Sequence, residues 1–415
     1  MPTTPTAYER HAPAPAQVDA ALAPSRHAVF WLEDAPGTTY AALDSPRTAD
    51  LAVVGGGYCG LWTAVLAKRR NPGARVVLLE ANTIGWAASG RNGGFCEASL
   101  THGEENGRSR WPEEYDVLER LGSKNLDAFE ADVRELGLDC EFERTGQLAA
   151  AVEPHQVDWL REEPGFLDRD AVRAEIDSPL FLAGLWERDS CALVHPARLA
   201  RELARVATEL GVEIHEDTRV TGLDPAPRGT VEVSTTGGTV TTDRVALATN
   251  VFPSLLRRTR LMTVPVYDYV LMTEPLTDAQ LASVGWANRQ GLGDLANQFH
   301  YSRLTADNRI LWGGYDAVYH AGRRVRGSYE ERPETFRALA GHFLAAFPQL
   351  EGLAFTHRWA GAIDTSTQFT AFHGLASRGR IAYAAGFTGL GVGATRFAAE
   401  VMLDRLSGLS TERTR

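Results

Sequence analysis

Three glycines and one acidic residue near the start of the chain have the spacing that binds a dinucleotide. Gly55, Gly57 and Gly60 form a G-x-G-x-x-G motif directly after the apolar residues 51–54, and Glu80 ends the next apolar run. In such a unit the first glycine permits a tight turn, the second lets backbone N–H groups approach a pyrophosphate, and the third lets a helix pack on the strand. The carboxylate of Glu80 is then placed to accept hydrogen bonds from the ribose hydroxyls of an adenosine. The neighbouring candidate contact residues are Tyr58, Cys59 and Ala81.

The elements that would position these residues follow in order. Residues 51–54 and, after Arg75, residues 76–79 are apolar and rich in Val and Leu, which predicts two buried strands over residues 51–54 and 75–79. Between them, residues 61–70 have the apolar spacing of a helix, and Asn71, Pro72 and Gly73 end it. Strand, turn, helix and second strand in this order favour a βαβ unit over a chance cluster of glycines.

A second segment of small residues follows at positions 82–94 and contains IGWAASGRNGG. Taken alone, it could be a glycine-rich surface loop. It resembles the loop beside the flavin in the amine- and amino-acid-oxidising flavoproteins of the D-amino-acid oxidase superfamily. The resemblance implies FAD, bound non-covalently, as the cofactor; attachment through Cys96 or His102 is an alternative that no local motif supports. It also implies cofactor contacts for Ser89, Arg91, Asn92, Gly93 and Gly94.

The C-terminal region contains a second glycine-rich junction between a strand and a helix. Residues 380–385 predict a strand, residues 394–406 predict a helix, and GFTGLGVG lies between them. A helix N-terminus here would offer free N–H groups and partial positive charge to a bound anion. Two such junctions at opposite ends of the chain fit FAD better than they fit NAD. The candidate contact residues of this half are Gly361, Gly386, Thr388, Gly389, Leu390 and Gly391. Thr249 and Asn250 are added by resemblance, because residues 243–250 resemble the second flavin-domain strand of the same superfamily, which ends near the cofactor.

These elements predict an α/β fold, α+β overall, in which two domains are interleaved. A Rossmann-like FAD-binding domain of the glutathione-reductase type is expected in residues 48–125, 190–260 and 355–415, after an N-terminal extension, residues 1–47. A substrate-binding domain is expected in residues 126–189 and 261–354. Its β-branched and aromatic runs, at residues 266–273, 297–304 and 309–312, predict a mixed, largely antiparallel sheet.

Aromatic residues on these strands are candidates for catalysis. Tyr269, His300 and Tyr301, together with Tyr267 and Trp312, could form an aromatic wall over a flavin. Because strand side chains alternate between faces, about half of them must point away. The surrounding segment FHYSRLTADNRILWGG resembles the γ-glutamylputrescine oxidoreductase-type enzymes, which are related to glycine and sarcosine oxidase-type enzymes.

Asp364 is a further catalytic candidate, and its charge bears on the substrate. It follows Trp359-Ala360-Gly361, and relatives that act on free α-amino acids often have an arginine shortly after such a segment, where it pairs with the substrate carboxylate. An acid at this place favours a cationic amine. An amino acid could instead be held by Arg91, Arg303 or Arg396, and Asp364 could equally cap a turn.

The resemblance implies oxidation of a C–N bond in a small amine or amino acid: a hydride equivalent passes to flavin N5, and the imine that forms is hydrolysed by water. O2 is the expected electron acceptor. However, the lysine that assists oxygen in sarcosine-oxidase-like relatives has no counterpart after Lys124. Three alternatives stay open: an amine dehydrogenase with another acceptor, an NAD(P)-dependent dehydrogenase, and a flavin-binding assembly protein without turnover.

Composition excludes other classes of partner. A formal net charge of -11 argues against nucleic acid, which needs a concentrated positive surface. The chain has no run of 18 apolar residues and no apolar leader in its first 28 residues, which predicts a cytoplasmic protein without a membrane partner. The four cysteines form no C-x-x-C pair, so they are expected to be reduced structural residues, and no metal site is predicted.

Overall fold

The computed structural model describes residues 5–226 and 229–415. The predicted extension at residues 1–47 therefore includes four residues, 1–4, that lie outside the described residues, and the predicted FAD-binding domain includes two, 227–228. The helices are α1 (Ala7–Arg10), α2 (Pro15–Leu22), α3 (Phe30–Asp34), α4 (Tyr58–Arg70), α5 (Glu104–Arg110), α6 (Tyr115–Glu135), α7 (Pro154–Leu160), α8 (Arg169–Glu175), α9 (Pro196–Glu209), α10 (Asp278–Val284), α11 (Pro333–Ala346) and α12 (Gly391–Leu406).

In the described residues, the strands form two large sheets and one small one. They are β1 (Arg26–His27), β2 (Arg47–Val54), β3 (Val76–Leu79), β4 (Phe95–Glu97), β5 (Gln147–Ala151), β6 (Phe166–Leu167), β7 (Ala183–Glu187), β8 (Cys191–Leu193), β9 (Val212–His215), β10 (Val220–Pro225), β11 (Val231–Thr235), β12 (Thr239–Leu247), β13 (Thr263–Thr273), β14 (Gly291–Asp294), β15 (His300–Leu304), β16 (Ile310–Gly314), β17 (Val318–Tyr319), β18 (Phe355–Ser366), β19 (Phe372–Ala376) and β20 (Ile381–Ala385).

The first large sheet, here called the Rossmann-like sheet, has a parallel centre. Strands β20, β12, β2, β3 and β9 run side by side and parallel, and β10 and β11 extend β12 as an antiparallel meander. Helices α4, α9 and α12 contribute to the largest apolar core, in which Trp62 is fully buried. The parallel strands are almost entirely buried, which explains why they are continuous apolar runs and not alternating ones.

The second large sheet, here called the mixed sheet, has ten strands in the order β1-β18-β13-β16-β15-β14-β5-β7-β6, with β17 beside β13. Most of its pairs are antiparallel, and the longest is β13 with β18. Helix α11 contributes Phe336 and Phe343 to the core that covers one face of this sheet. The other face is therefore free to line a site.

The segment before β2 is tied to the mixed sheet and to the small-residue loop that follows β3. Strand β1 pairs in parallel with residues 357–358 of β18. Trp31 on α3 is fully buried, and its Nε1 donates a hydrogen bond to the backbone oxygen of Asn92 (3.0 Å). From the other side, Nε1 of Trp359 donates to the backbone oxygen of Arg91 (2.8 Å). Two indoles thus hold consecutive carbonyl groups of one loop.

The predicted fold class is confirmed, with differences in detail. Residues 355–366, predicted within the FAD-binding domain, instead form β18 of the mixed sheet, because they pair along their whole length with β13. Helices α4 and α12 each begin three residues earlier than predicted, since their first turns contain glycines and are not part of the apolar stripe. No helix in the described part of the chain combines the length and the apolarity that crossing a bilayer requires.

Candidate functional site

A cavity of about 930 Å³ lies between the Rossmann-like sheet and the free face of the mixed sheet. This volume is near the upper end of the range of about 300–1,000 Å³ for ligand pockets. The N-terminal ends of α4 and α12 both reach it, at Gly57–Cys59 and at Leu390–Val392. The first N–H groups of a helix have no intrahelical acceptor, so both ends offer donors and partial positive charge to a bound anion.

Glu80 is fixed at the α4 end of the cavity. Its carboxylate accepts hydrogen bonds from the backbone N–H groups of Gly56 (2.6 Å) and Asn82 (2.8 Å) and from Nε1 of Trp86 (3.0 Å). Burial raises the pKa of Glu80, and these donors oppose the rise. The carboxylate is therefore held at the edge of the cavity with lone pairs still available to hydroxyl donors.

The loop after β3 is held by its own side chains. Arg91 forms an ion pair with Glu330 (2.6 Å), and its Nε donates to the backbone oxygen of Trp86 (2.9 Å). Asn92 donates to the backbone oxygen of Ala88 (2.9 Å) and accepts from the N–H of Gly94 (2.8 Å). The loop is thus preorganised, and the charge of Arg91 is already paired.

Asp364 lies at the α12 end of the cavity. Its Oδ2 accepts a hydrogen bond from the N–H of Gly386 (2.6 Å), at the turn between β20 and α12. The side chain is almost fully buried, and this burial raises the pKa of Asp364 to about 7, against the opposing effect of the backbone donors. The carboxylate thus orients the glycine-rich turn, and its protonation changes near neutral pH.

Tyr301 and Asp268 form a hydrogen-bonded pair on the cavity wall. The hydroxyl of Tyr301 on β15 donates to Oδ2 of Asp268 on β13 (2.5 Å). Burial raises the pKa of Asp268 to about 6, although the Tyr301 donor lowers it. Asp268 was missed by the sequence analysis. The signal that could have identified it is an acid inside an otherwise apolar and aromatic strand, because an unneeded charge is rarely placed there.

Most of the predicted site residues line this one cavity. They are Gly55, Gly57, Tyr58, Cys59, Glu80, Ala81, Ser89, Arg91, Asn92, Gly93, Thr249, Asn250, Gly361, Thr388, Gly389, Leu390 and Gly391 among the cofactor candidates, and Tyr301 and Asp364 among the catalytic ones. Residues separated by more than 300 positions in the chain, such as Gly57 and Gly391, are therefore brought together.

Three predicted cofactor contacts lie behind the cavity surface. A Cβ on Gly60 would be 1.9 Å from the backbone oxygen of Gly55, and a Cβ on Gly94 would be 2.2 Å from that of Val194. Gly386 donates its N–H to Asp364. These glycines are not among the lining residues and instead allow the close packing that shapes the cavity.

Tyr269 and His300, predicted as catalytic residues, face away from the cavity. The hydroxyl of Tyr269 donates to the backbone oxygen of Tyr329 (2.7 Å), and His300 lies between Asp294 (2.7 Å) and His342 (3.0 Å). The physical reason is strand alternation, because Asp268 and Tyr301, their neighbours in sequence, occupy the cavity face. Of the predicted aromatic wall, Tyr301 lines the cavity. Tyr267 also contributes to the lining, but it is fully buried and packs with Tyr269 and Trp312 in the core beneath α11.

The arginines considered as substrate contacts and the residues considered for flavin attachment can also be located in the structure. Arg303 is buried and donates to the backbone oxygen of Val194 (2.6 Å), and Arg396 is paired with Asp132 (2.7 Å). Neither lines the cavity, so neither is placed to hold a substrate carboxylate. Cys96 is fully buried outside the lining, unlike His102, which lines the cavity. In the described residues, no group of three or more His, Cys, Asp and Glu side chains is arranged to hold a metal ion.

The cavity fits FAD on its own geometry. At Gly57 a Cβ would be 2.9 Å from Oγ of Ser89, which would have to shift, so glycine keeps the backbone of this turn open to a pyrophosphate. Two helix N-termini face the same space, one at the Glu80 end and one beside the mixed sheet. Gly55–Cys59 with Glu80 would hold the adenosine diphosphate part, and the turn at 388–391 would hold the flavin part.

Comparisons with known proteins agree with this geometry. Residues 50–405 match the family model described as FAD dependent oxidoreductase (DAO). The chain is 30% identical to gamma-glutamylputrescine oxidoreductase of Escherichia coli over 88% of this chain and 85% of that protein. It is 27% identical to a probable oxidoreductase, OrdL, of Haemophilus influenzae over 87% and 83% of the two chains.

Solved structures show the same fold. Glycine oxidase from Geobacillus kaustophilus superposes with a TM-score of 0.71 at 20% identity, covering 88% of this chain and 96% of that one. L-proline dehydrogenase from P. horikoshii also gives a TM-score of 0.71, at 19% identity over 88% and 95%. The prediction of an FAD-dependent enzyme is confirmed, and the NAD(P)-dependent and non-enzymatic alternatives are set aside. The chain belongs to the DAO family of FAD-dependent oxidoreductases.

Proposed function

We propose that this enzyme oxidises a C–N bond in a small amine or amino acid and that O2 accepts the electrons. One observation carries the proposal: the Tyr301–Asp268 pair and the α12 turn line the same cavity. The other end of this cavity has the geometry of a dinucleotide site. Bound FAD would supply the acceptor for a hydride equivalent from the carbon atom next to the nitrogen. The resulting imine is hydrolysed by water to a carbonyl compound and free amine.

The chain's own residues have three tasks in this scheme. Asp268, whose pKa is raised to about 6 by burial, can take the proton of the substrate nitrogen, so that a neutral amine is oxidised. The Tyr301 hydroxyl keeps the carboxylate in place. The N-terminus of α12 offers partial positive charge where charge develops on reduction.

The proposal is tested by the absorbance of the purified protein under argon. We expect a yellow protein whose visible bands are bleached by at least one member of a panel of polyamines, N-methylated amino acids and free amino acids. Air should then restore the bands at least as fast as turnover. A yellow protein that no member bleaches would contradict the proposed reaction.

A dehydrogenase with another electron acceptor is the second candidate, and one observation favours it. The two lysines of the chain, Lys68 and Lys124, are absent from the cavity lining. Lys68 donates hydrogen bonds to the backbone oxygens of Pro72 and Ala74, and Lys124 is exposed on α6. Reoxidation in air that is slower than turnover with an artificial acceptor would establish the dehydrogenase and exclude the oxidase.

Replacement of Tyr301 by phenylalanine is expected to shift the pH dependence of activity. The Tyr301 hydroxyl lowers the pKa of Asp268, so its loss should move the acidic limb of the kcat/KM profile to higher pH. Activity near pH 6 should fall several-fold, roughly 3- to 10-fold, with a smaller change at pH 8. The matched control is Tyr319→Phe at the exposed cavity mouth, which should leave the profile unchanged. An unshifted limb in Tyr301→Phe would exclude Asp268 as the titrating group.

A further inference from the structure

Glu97 differs from the other carboxylates of the cavity. Each of the other carboxylates that line the cavity accepts a hydrogen bond within the protein: Glu80 from Gly56, Asp268 from Tyr301, Asp294 from Tyr8, Asp316 from Thr335 and Asp364 from Gly386. Glu97 also lines the cavity, yet no N–H group, hydroxyl or cation of the described residues contacts its carboxylate. Burial, followed by the charge of Glu187, raises the pKa of Glu97 to about 7.

The position of Glu97 places this carboxylate in the flavin half of the cavity. It ends β4, whose backbone lies against the first turn of α12, since a Cβ on Gly393 would be 2.6 Å from the backbone oxygen of Glu97. Phe95, two residues earlier on the same strand, packs its ring 5.9 Å from that of Tyr301. Glu97 therefore lies between the α12 turn and the wall that carries Asp268.

The charges around this position suit a cation and not an anion. Three arginines of the described residues line the cavity. Arg91 is already paired with Glu330, Arg219 follows the residue whose N–H donates to the backbone oxygen of Glu80 at the other end of the cavity, and Arg260 donates to the backbone oxygen of Ser254. His102 also lines the cavity, and burial lowers its pKa, which disfavours its cationic form. A substrate carboxylate would meet Glu97 without a compensating cation, whereas an ammonium group would supply the donor that Glu97 lacks.

From this arrangement we infer that Glu97 binds the ammonium group of the substrate, and that the substrates are amines without a carboxylate beside the amino group. The inference rests on the proposed function and specifies its substrate class. Glu97 acts before oxidation, because the proton must leave the nitrogen, to Asp268 in the proposed scheme, before the C–N bond is oxidised. It therefore determines affinity more than the rate of the chemical step.

The test uses the FAD-containing enzyme and two probes that differ by one carboxylate, butylamine and norvaline. Binding is measured at pH 7 from the perturbation of the flavin spectrum, and reduction from its bleaching under argon. We expect the parent enzyme to bind butylamine at least about tenfold more tightly than norvaline. In Glu97→Gln, butylamine should bind about tenfold or more weakly, norvaline should bind no more weakly than before, and the maximal rate of bleaching should change little.

Each other outcome overturns the inference. These outcomes are a parent enzyme that prefers norvaline, a Glu97→Gln enzyme with unchanged butylamine affinity, and a parallel loss for both probes. The parent comparison does not depend on the variant's folding, and Glu105→Gln on the exposed face of α5 controls for loss of a negative charge. Binding without bleaching by any compound would contradict the proposed reaction and still leave the role of Glu97 measurable.

Discussion

Replacement of Gly60 by alanine is expected to yield a protein without FAD. The added Cβ would lie 1.9 Å from the backbone oxygen of Gly55, a distance that no pair of such atoms tolerates. Gly55 cannot retreat, because its N–H donates to Leu79 (2.9 Å) and its φ of +115° already requires glycine. Helix α4 must therefore move away from β2, and the N–H groups at its start leave the pyrophosphate position.

The measurement is the FAD content of the purified protein and the affinity of the cofactor-free protein for added FAD. We expect at least about a 100-fold loss of affinity, which corresponds to about 3 kcal/mol. The matched control is Gly73→Ala in the same βαβ unit, where the nearest other atom to the new Cβ is Asn71 Oδ1 at 3.5 Å. Stoichiometric FAD in Gly60→Ala would show that the close packing of helix and strand is not required.

Replacement of Asp364 by asparagine is expected to stabilise the cofactor-free protein at neutral and higher pH. The pKa of Asp364 is about 7 in the folded chain, against 3.8 for an unperturbed aspartate, because burial disfavours the charged form. Between these two values the unfolded chain ionises this group while the folded chain keeps it protonated. The free energy of unfolding therefore falls as pH rises through this range. Above it, Asp364 is ionised in both the folded and the unfolded chain and causes no further change.

The amide removes this titration and can still accept the hydrogen bond from Gly386. A pKa difference of about three corresponds to about 4 kcal/mol. The variant should therefore gain up to about 4 kcal/mol relative to the parent between pH 4 and pH 8. Urea unfolding at several pH values measures this difference, with Asp158→Asn on the exposed face of α7 as the control. Parallel pH profiles of the parent and of Asp364→Asn would contradict the assigned ionisation.

The parts of the site that depend on local spacing could be predicted from the sequence. Gly55, Gly57 and Glu80 lie within one βαβ unit, where strand and helix lengths alone determine which groups meet. The turn at residues 388–391 was found for the same reason, because it joins one strand to the next helix.

The substrate side could not be predicted in this way, since it depends on which face each strand turns inward. His300 and Tyr301 are adjacent, and only the pairing of Tyr301 with Gly313 determines that the tyrosine faces the cavity. The predicted strand began at residue 297, whereas β15 begins at His300, so its length gave no guide to the face. Glu97 and Asp268 are brought into the site by strands of different sheets, and no motif links them.

The two tryptophans that hold the loop at Arg91 and Asn92 have a consequence for how the enzyme matures. During synthesis, Trp31 leaves the ribosomal exit tunnel before the loop does. Trp359 and the α12 turn emerge more than 250 residues after the loop. Contacts at such separation form late, because the intervening chain must first be ordered. The nascent chain therefore exposes the nucleotide-binding unit long before the flavin position exists. We therefore expect stable cofactor loading to follow translation, because a chain that stops before residue 359 lacks Trp359 and the α12 turn.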